Sequence, residues 1–151
     1  MEEAIVRVEH LSHRYSVDWA IRDINLEVKS KGVFGLLGSN GAGKSTTMNI
    51  ICGVLNQTEG NVWINNINLR ENPVEAKKFI GFLPQRPPLY PDMTVEEYLT
   101  YCANLRLMEP MEIGKAVERA MVRCGVTHFR SRLLRNLSGG YQQRIGIAQA
   151  I

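Results

Sequence analysis

The chain has 151 residues, of which 44% are hydrophobic and 22% charged, and its formal net charge is +3. These are globular values, and the length suits one ordinary domain that can bury a core. The charge is mild and no cluster of lysine and arginine marks a nucleic-acid surface, so we expect no nucleic-acid partner. No apolar run approaches the length of a membrane span, and the acidic start Met1-Glu2-Glu3 is unlike a signal peptide, which predicts a soluble chain.

The first predicted elements are two strands, Ile5–Glu9 and Ile21–Lys29, in which apolar and polar residues alternate. Residues 10–20 between them are predicted to form a loop that carries Tyr15. A short apolar run, Val33–Leu37, follows and is interpreted as a buried strand. This run leads directly into a glycine-rich loop, as the strand before a phosphate-binding loop should.

The loop Gly38–Ser45 fits the pattern G-x-x-x-x-G-K-[ST] of a P-loop, which holds a polyphosphate. Its glycines permit a tight turn, so that consecutive amides point inward and form a nest for an anion. Lys44 adds a charge aimed at the β- and γ-phosphates, and the Ser45 hydroxyl is placed to ligate Mg²⁺. A helix predicted from Ser45 to Val54 directs its N-terminal dipole at the same phosphates. The residues predicted to contact the nucleotide here are Ser39, Asn40, Gly41, Ala42, Gly43, Lys44, Ser45 and Thr46.

Short elements separated by turns are predicted in the middle of the chain. They are a strand at Asn61–Ile64, a tight turn at Asn65-Asn66, a helix from Pro73 to Lys78 and a strand at Phe79–Leu83. Four prolines between residues 84 and 93 then predict a stiff loop that is neither helix nor strand.

Three helices are predicted in the last part of the chain. The first begins with a capping box of Thr94 and Glu97, the second follows a break at Pro110, and Ser138 is expected to cap the third. Their apolar faces carry Val95, Leu99, Cys102 and Leu105; Ile113, Val117, Met121 and Cys124; and Ile145, Ala148 and Ile151. Together with Cys52, the cysteines fit no metal or disulfide spacing, and they are interpreted as small core residues in a reducing cytoplasm.

A second phosphate-binding surface is predicted at Leu137-Ser138-Gly139-Gly140, where a hydroxyl and free amides meet the positive end of a helix. A surface so far from the P-loop suggests that a nucleotide is gripped from two sides, by two chains; an ordinary capped helix start is the alternative. Together with the P-loop, these residues resemble the ATP-binding cassette (ABC) family. In that family the matching signature motif reaches the γ-phosphate of ATP held by the partner subunit, which implies the same role for Ser138, Gly139 and Gly140.

The resemblance covers the whole chain and implies an ATP-hydrolysing subunit with ATP and Mg²⁺ as cofactors. Lys44, Gln85 and Ser138 are then the catalytic residues, and Ser45 and Gln85 bind the magnesium ion. Tyr15 matches the aromatic residue that stacks on adenine in the family, and a loop tyrosine packed on the core is the alternative.

The fold implied by the resemblance is α/β, a P-loop NTPase of ABC type. It has a partial parallel core sheet, an N-terminal antiparallel β subdomain and an inserted α-helical subdomain. Residues 1–92 and 137–151 are expected to form the nucleotide-binding core, incomplete at its C-terminal end, and residues 93–136 the helical subdomain. This insert lacks the sustained heptads of chromosome-organising relatives, so it looks like the insert of transporter cassettes.

The proline-rich loop beside Gln85 lies where transporter cassettes meet their transmembrane subunit. A permease is therefore expected to contact Gln85–Asp92, which would hold the chain on the cytoplasmic face of the membrane. The alternative is that Leu89 and Tyr90 fold back onto their own core. The sequence from Leu83 to Val95 is similar to export-type cassettes for drugs, polysaccharides or gliding machinery.

Members of this family need further residues to hydrolyse ATP. An apolar strand ending in Asp-Glu and a switch histidine should follow the signature, but Ile151 is the last residue given. The acidic residues considered do not end an apolar strand, and the histidines precede the signature, where we expect them to be solvated or locally bonded. These residues are Asp18, Asp23 and Asp92, and His10, His13 and His128. We therefore expect weak nucleotide binding and little hydrolysis by these 151 residues alone.

Strands that the family places between Val33–Leu37 and Phe79–Leu83 are also absent from this sequence, which would expose unpaired strand edges. The expectation is a truncated chain, a chain that continues past Ile151, or an oligomer that fills the gap by exchange. Two other classes stay open: a non-catalytic paralogue that pairs with an intact cassette, and a soluble ABC ATPase that acts on ribosomes.

Overall fold

The structure is a computed structural model that describes residues 4–29 and 32–151. The acidic residues 1–3, on which the signal-peptide prediction depends, lie outside the described residues. The chain divides into two compact units, one of residues up to Ile80 and one of Gly81–Ile151. Among the described helices, none is both long and apolar enough to cross a membrane.

The first unit is built on an antiparallel sheet of four strands in the order β2-β1-β3-β4. They are β1 (Ala4–Arg14), β2 (Trp19–Lys29), β3 (Glu59–Ile64) and β4 (Ile67–Asn68). The turn between β3 and β4 is the predicted pair Asn65-Asn66, and both residues have the positive φ (49° and 64°) that such a hairpin turn requires. The predicted N-terminal antiparallel subdomain is confirmed.

β1 and β2 are longer than predicted, because residues 10–14 and 19–20 belong to the strands rather than to the loop. The cause is a break in the pleat of each strand. His10 and Asp23 both have φ of 50°, and the register of β1 against β2 shifts between Val8 and Leu11. An extra residue at a bulge reverses the alternation of apolar and polar positions, which hid the second half of β1 from the sequence pattern.

Two helices accompany this sheet close to their predicted positions, α1 (Lys44–Ile51) and α2 (Pro73–Lys77). α1 ends before Val54, and Gly53 follows it with a positive φ of 67°. Residues of the sheet, the helices and their connections form the core of the unit: Val8, Leu11, Ile21, Ile50, Val62, Ile64, Leu69 and Ala76.

The two apolar runs predicted to be buried strands, Val33–Leu37 and Phe79–Leu83, are not strands in the structure. Val33 and Leu37 are 102% and 92% exposed. Among the described residues, strand pairing is confined to the antiparallel sheet and one isolated bridge between Thr94 and Leu133. The described residues therefore do not form the predicted parallel part of the core sheet, because an apolar run becomes a buried strand only where neighbouring strands pair with it.

The second unit is helical. Its elements are α3 (Val95–Leu105), α4 (Pro110–Cys124) and α5 (Gly139–Ala148), with 3-10 turns at Thr127–Phe129 and Leu134–Asn136. The predicted capping box of α3 is present, since the Glu97 amide donates to Thr94 Oγ1 (3.3 Å) and the Thr94 amide donates to Glu97 Oε2 (2.8 Å). Gly125, at φ 65°, ends α4. A helical subdomain of residues 93–136 stays a prediction.

The apolar faces of the three helices enclose the core of the second unit. It consists of Val95, Tyr98, Leu99, Ala103, Ile113, Val117, Met121, Val126, Leu134, Leu137, Ile145 and Ala148. Ile151 was predicted on the same face as Ile145, but it lies after the end of α5 and is 57% exposed. All three cysteines are free and half-buried, and burial raises the pKa of each thiol, which makes the thiolate scarce.

The two ends of the second unit touch each other. The side-chain amide of Gln149 donates to the Phe82 carbonyl at 2.9 Å. A side chain at Gly81 would overlap the carbonyl of Ala150. Because glycine has no side chain, the backbone at Gly81 can pack directly against the backbone at Ala150.

Candidate nucleotide-binding site

The glycine-rich loop of residues 38–43 leads into α1 on the surface of the first unit. Gly41 and Gly43 have φ of 85° and 81°, in the left-handed region where a side chain is strained. A Cβ at Gly43 would also overlap the side chain of Ile21 and lie 2.9 Å from the Ala20 carbonyl. Glycine at position 43 is therefore required both by the turn and by the packing of the loop on β2.

Backbone amides at the start of α1 are available to an anion. The first hydrogen bond of the helix runs from the Thr47 amide to the Gly43 carbonyl (2.9 Å), so the amides of residues 44–46 have no acceptor within the helix. The Ala42 amide, by contrast, donates to the Ser39 carbonyl at 3.2 Å. The helix dipole adds to the attraction for negative charge at this end.

Lys44 places its ammonium over the loop. Nζ donates to the carbonyls of Gly38 (2.8 Å) and Ser39 (2.6 Å). Because a phosphate oxygen carries charge and accepts more strongly than a carbonyl, a bound polyphosphate can replace these two acceptors.

Ser45, the residue after Lys44, is exposed, and its hydroxyl is the kind of hard oxygen ligand that Mg²⁺ accepts. Within residues 4–29 and 32–151, no group of three His, Cys, Asp or Glu side chains is placed to hold a metal ion. A magnesium ion at Ser45 would therefore depend on phosphate oxygens for most of its ligands.

Tyr15 lies next to the first turn of α1. Its hydroxyl is 3.2 Å from Thr46 Oγ1, and its ring packs edge-to-face on His13 with the centroids 4.8 Å apart and the planes at 87°. Tyr15 is nevertheless 66% exposed, which is more than a tyrosine packed on the core would show. An aromatic face beside the phosphate-binding helix can accept a stacked base.

The predicted signature residues lie together at the start of α5 in the second unit. Ser138, Gly139 and Gly140 are all exposed, and the Ser138 carbonyl accepts the first hydrogen bond of the helix from the Gln142 amide at 3.0 Å. Ser138 occupies the N-cap position, but its side chain makes no capping hydrogen bond, so the prediction of a side-chain cap is wrong. Its hydroxyl stays available because the backbone turn is held by other residues.

Gln142 is one of the residues that hold this turn, and the sequence analysis missed it. Its Nε2 donates to the carbonyls of Leu134 (3.1 Å) and Leu137 (3.3 Å), while the Leu137 side chain is buried in the core. In the sequence, a polar residue one helical turn after a candidate N-cap only weakly indicates that it holds the preceding turn, because polar residues of helices usually face solvent.

Gln85 is exposed and opens the proline-rich loop of the second unit. Of the two apolar residues of the loop, Leu89 packs against the core, as the alternative in the sequence analysis had it. Tyr90 remains 49% exposed, with its ring against those of Tyr98 and Tyr101 at centroid distances of 6.3 and 5.4 Å. Burial raises the pKa of Tyr98, whose hydroxyl donates to the Pro88 carbonyl at 3.3 Å.

The end of the proline-rich loop is bonded to the segment that precedes the signature. The Leu134 amide donates to the Met93 carbonyl (2.9 Å) and the Arg135 amide to the Pro91 carbonyl (3.1 Å). The Arg135 guanidinium also donates to Asp92 Oδ1 at 2.6 Å. The loop that contains the predicted permease contact and the signature segment are thus joined by both backbone and side-chain bonds.

The loop, the lysine and the free amides at the start of α1 define a P-loop nucleotide-binding protein. Residues 21–151 match the family model described as ABC transporter, and the chain belongs to this family. The fold is that of an ABC ATPase cassette, and the chain is an ATP-binding domain of the ABC transporter type.

Two curated relatives are similar over nearly the whole chain. The molybdate/tungstate import ATP-binding protein WtpC of Pyrococcus abyssi is 35% identical over 147 residues, which are 97% of this chain and 42% of the relative. The uncharacterized ABC transporter ATP-binding protein YhaQ of Bacillus subtilis is 34% identical over 149 residues, which are 97% of this chain and 48% of the relative. The chain thus spans less than half the length of these curated relatives.

A solved structure is similar in both sequence and fold. It is the dimeric structure of a post-hydrolysis state of an ATP-binding cassette bound to ADP and inorganic phosphate. The TM-score is 0.82 at 29% identity, and the match covers 97% of this chain and 68% of that one.

Proposed function

We propose that the chain is part of the ATP-binding and ATP-hydrolysing subunit of an ABC transporter, with ATP and Mg²⁺ as its cofactors. The observation that carries the proposal is the start of α1, where free amides, the Lys44 ammonium and the exposed Tyr15 ring lie within one unit. This set offers a positive end for phosphates and a flat apolar face for a base, which are the two chemically different halves of a nucleotide.

In this proposal, different residues of the first unit bind different parts of the nucleotide. Amides of the stretch Ser39–Thr46 and the Lys44 ammonium hold the phosphates, and the Ser45 hydroxyl ligates Mg²⁺. Tyr15 stacks on the adenine ring. Gln85 is proposed as a further ligand of Mg²⁺ that also orients the attacking water, a role that follows from the family resemblance.

Ser138, Gly139 and Gly140 are proposed to contact ATP bound by a second nucleotide-binding subunit. Their exposure and the unused Ser138 hydroxyl support this role. A Cβ at Gly139 or Gly140 would meet nothing within 4 Å, so packing within the described residues does not require glycine there. The approach of a ligand from outside the chain gives a reason for both glycines. The dimeric form of the similar cassette also supports a dimer.

Transmembrane permease subunits are proposed to bind the region Gln85–Asp92 and to hold the subunit at the cytoplasmic face of the membrane. Tyr90 is half exposed and its ring lies against two other tyrosines, which gives this region an aromatic contact of the kind that interfaces favour. The hydrogen bonds that the amides of residues 134 and 135, just before the signature, donate to the carbonyls of Met93 and Pro91 would let such a partner sense the ATP-bound state.

The direction of transport has two candidates. Export is proposed from the sequence between Leu83 and Val95, which is similar to export-type cassettes. Import is favoured by a specific observation, since the relative WtpC is named as a molybdate/tungstate importer. Uptake into right-side-out vesicles that contain the complete transporter would support import, and uptake into inside-out vesicles would support export.

The 151 residues alone are proposed to hydrolyse ATP slowly, because no Asp-Glu pair at the end of an apolar strand and no switch histidine occurs among them. Removing the groups that hold the metal and polarise the attacking water lowers the rate by orders of magnitude. A non-catalytic paralogue or a soluble ribosome-associated ATPase would also contain the P-loop, and ATPase activity of the full chain with its permease separates these alternatives.

Lys44→Ala tests the proposed function. In the full chain it is expected to weaken ATP binding about tenfold to 100-fold, because a charge-assisted contact with phosphate contributes roughly 1.5–3 kcal/mol. Isothermal calorimetry with ATP and Mg²⁺ measures the change. Lys115→Ala is the matched control, since Lys115 is an exposed lysine of α4, in the other unit, and pairs with Glu112 at 3.7 Å. Equal ATP affinity in the Lys44 variant and the wild type would reject the proposal.

A further inference from the structure

We propose that His13 is a positioning residue that holds the Tyr15 ring as a platform for the nucleotide base. The inference rests on the proposed function, in which Tyr15 stacks on adenine, and it adds a residue that does not itself touch the nucleotide. His13 was expected to be solvated or locally bonded, and its position in the structure calls for a more specific explanation.

His13 is buried and one of its nitrogens has no partner. Its exposure is 7%, whereas the side chain of His10, on the same strand, is 79% exposed. Nε2 of His13 is buried and has no hydrogen-bond partner among the described residues. Burial of an unpartnered polar atom costs free energy, which contacts of the imidazole ring with its neighbours must offset.

Thr58 holds one nitrogen of His13 in place. Thr58 Oγ1 accepts the Arg14 amide at 3.2 Å and lies 3.4 Å from His13 Nδ1. A hydroxyl can donate or accept, so this contact holds the Nδ1 edge of the imidazole whichever nitrogen carries the proton.

The Tyr15 ring packs directly against the imidazole of His13. The two rings pack edge-to-face, with centroids 4.8 Å apart and planes at 87°, a geometry in which a ring N–H or C–H edge meets an aromatic face. His13 lies near the end of β1, and Tyr15 is the first residue after the strand.

Tyr15 is thus fixed at two points, although its ring is 66% exposed. The hydroxyl is fixed by Thr46 Oγ1 and one side of the ring by His13. A ring held in this way loses little side-chain freedom when a base stacks on it, so preorganisation favours binding. Without His13 the hydroxyl contact remains, but the ring can turn about it.

The test compares ATP with inorganic tripolyphosphate, which has the phosphates but no base. In the full chain, His13→Ala is expected to weaken ATP binding about threefold to tenfold, a part of what base–aromatic stacking contributes. Tripolyphosphate affinity is expected to stay within about twofold of the wild type, because the P-loop is unaffected. His10→Ala, a histidine on the same strand that does not contact Tyr15, serves as the matched control and is expected to change neither affinity.

His13→Phe keeps a ring edge against Tyr15 and is expected to retain most of the ATP affinity that His13→Ala loses. The proposal is overturned if His13→Ala weakens both ligands equally, if it weakens neither, or if His13→Phe is as weak as His13→Ala. Lys44→Ala, which should weaken both ligands, reports on the proposed function separately. If Lys44→Ala behaves as expected and the His13 variants do not, only the role of His13 is rejected.

Discussion

The two surfaces proposed to bind phosphate, the P-loop and the segment Ser138–Gly140, differ in what requires their glycines. In the first unit Gly43 is required by the chain itself, because its φ is 81° and a side chain would overlap Ile21. In the second unit Gly139 and Gly140 have neither a positive φ nor an atom within 4 Å of an added Cβ. The glycine of the P-loop is therefore required by its own unit, whereas packing within the described residues does not require Gly139 and Gly140.

The largest expected effect on stability comes from replacing one glycine of each surface by alanine. Gly43→Ala should lower the free energy of unfolding by about 2–4 kcal/mol, the sum of left-handed strain and overpacking against β2. Gly139→Ala, in the first turn of a helix with open space around it, should change it by less than about 1 kcal/mol. Urea denaturation of the two variants measures the difference. Similar losses in both would show that the two surfaces are equally part of the folded structure.

A second pair of variants compares two N-caps of the second unit. Thr94→Ala should lower the free energy of unfolding by about 0.5–2 kcal/mol, because the Thr94 hydroxyl accepts from the Glu97 amide and completes a capping box. Ser138→Ala should leave stability unchanged, because that hydroxyl caps nothing. Thermal unfolding of both variants tests this contrast. A clear loss of stability in Ser138→Ala would mean that the signature serine has a structural role after all.

The smallest expected effect concerns pH. Hydrogen bonds from His10 and Asn25 hold the pKa of the exposed Asp23 below its usual range. A lowered pKa means that the interaction stabilises the folded chain above the usual pKa of an aspartate and that this is lost as the pH falls through the lowered value. Asp23→Asn should therefore be slightly less stable than the wild type near about pH 6, and the difference should shrink as the pH falls through the lowered pKa of Asp23. Asp18→Asn, an exposed aspartate, is the control and should show no such convergence.

Features decided by neighbouring residues could be predicted from the sequence. The capping box at Thr94, the turn at Asn65-Asn66 and the helix start at Pro73 each depend on a few adjacent residues, and the structure has all three. The P-loop is of the same kind, because its glycines and lysine act within one turn of backbone.

Features decided by distant contacts could not be predicted. The run Val33–Leu37 has the composition of a buried strand, but strand formation depends on pairing neighbours that the run itself does not contain. β1 was predicted too short because a bulge at His10 shifts the pattern by one residue. The roles of His13 and Gln142 depend on partners at Tyr15, Thr58 and residues 134 and 137, and no local pattern marks such contacts.

The contact between Gly81 and Ala150 has a consequence for how the helical unit can evolve. Its first and last segments lie against each other, so the two ends of the helical unit are neighbours in space. A module of this geometry can be lengthened or shortened in its interior without moving its two ends apart. Changes in α3 and α4 can therefore remodel the surface of this unit while the pairing of its ends stays in place.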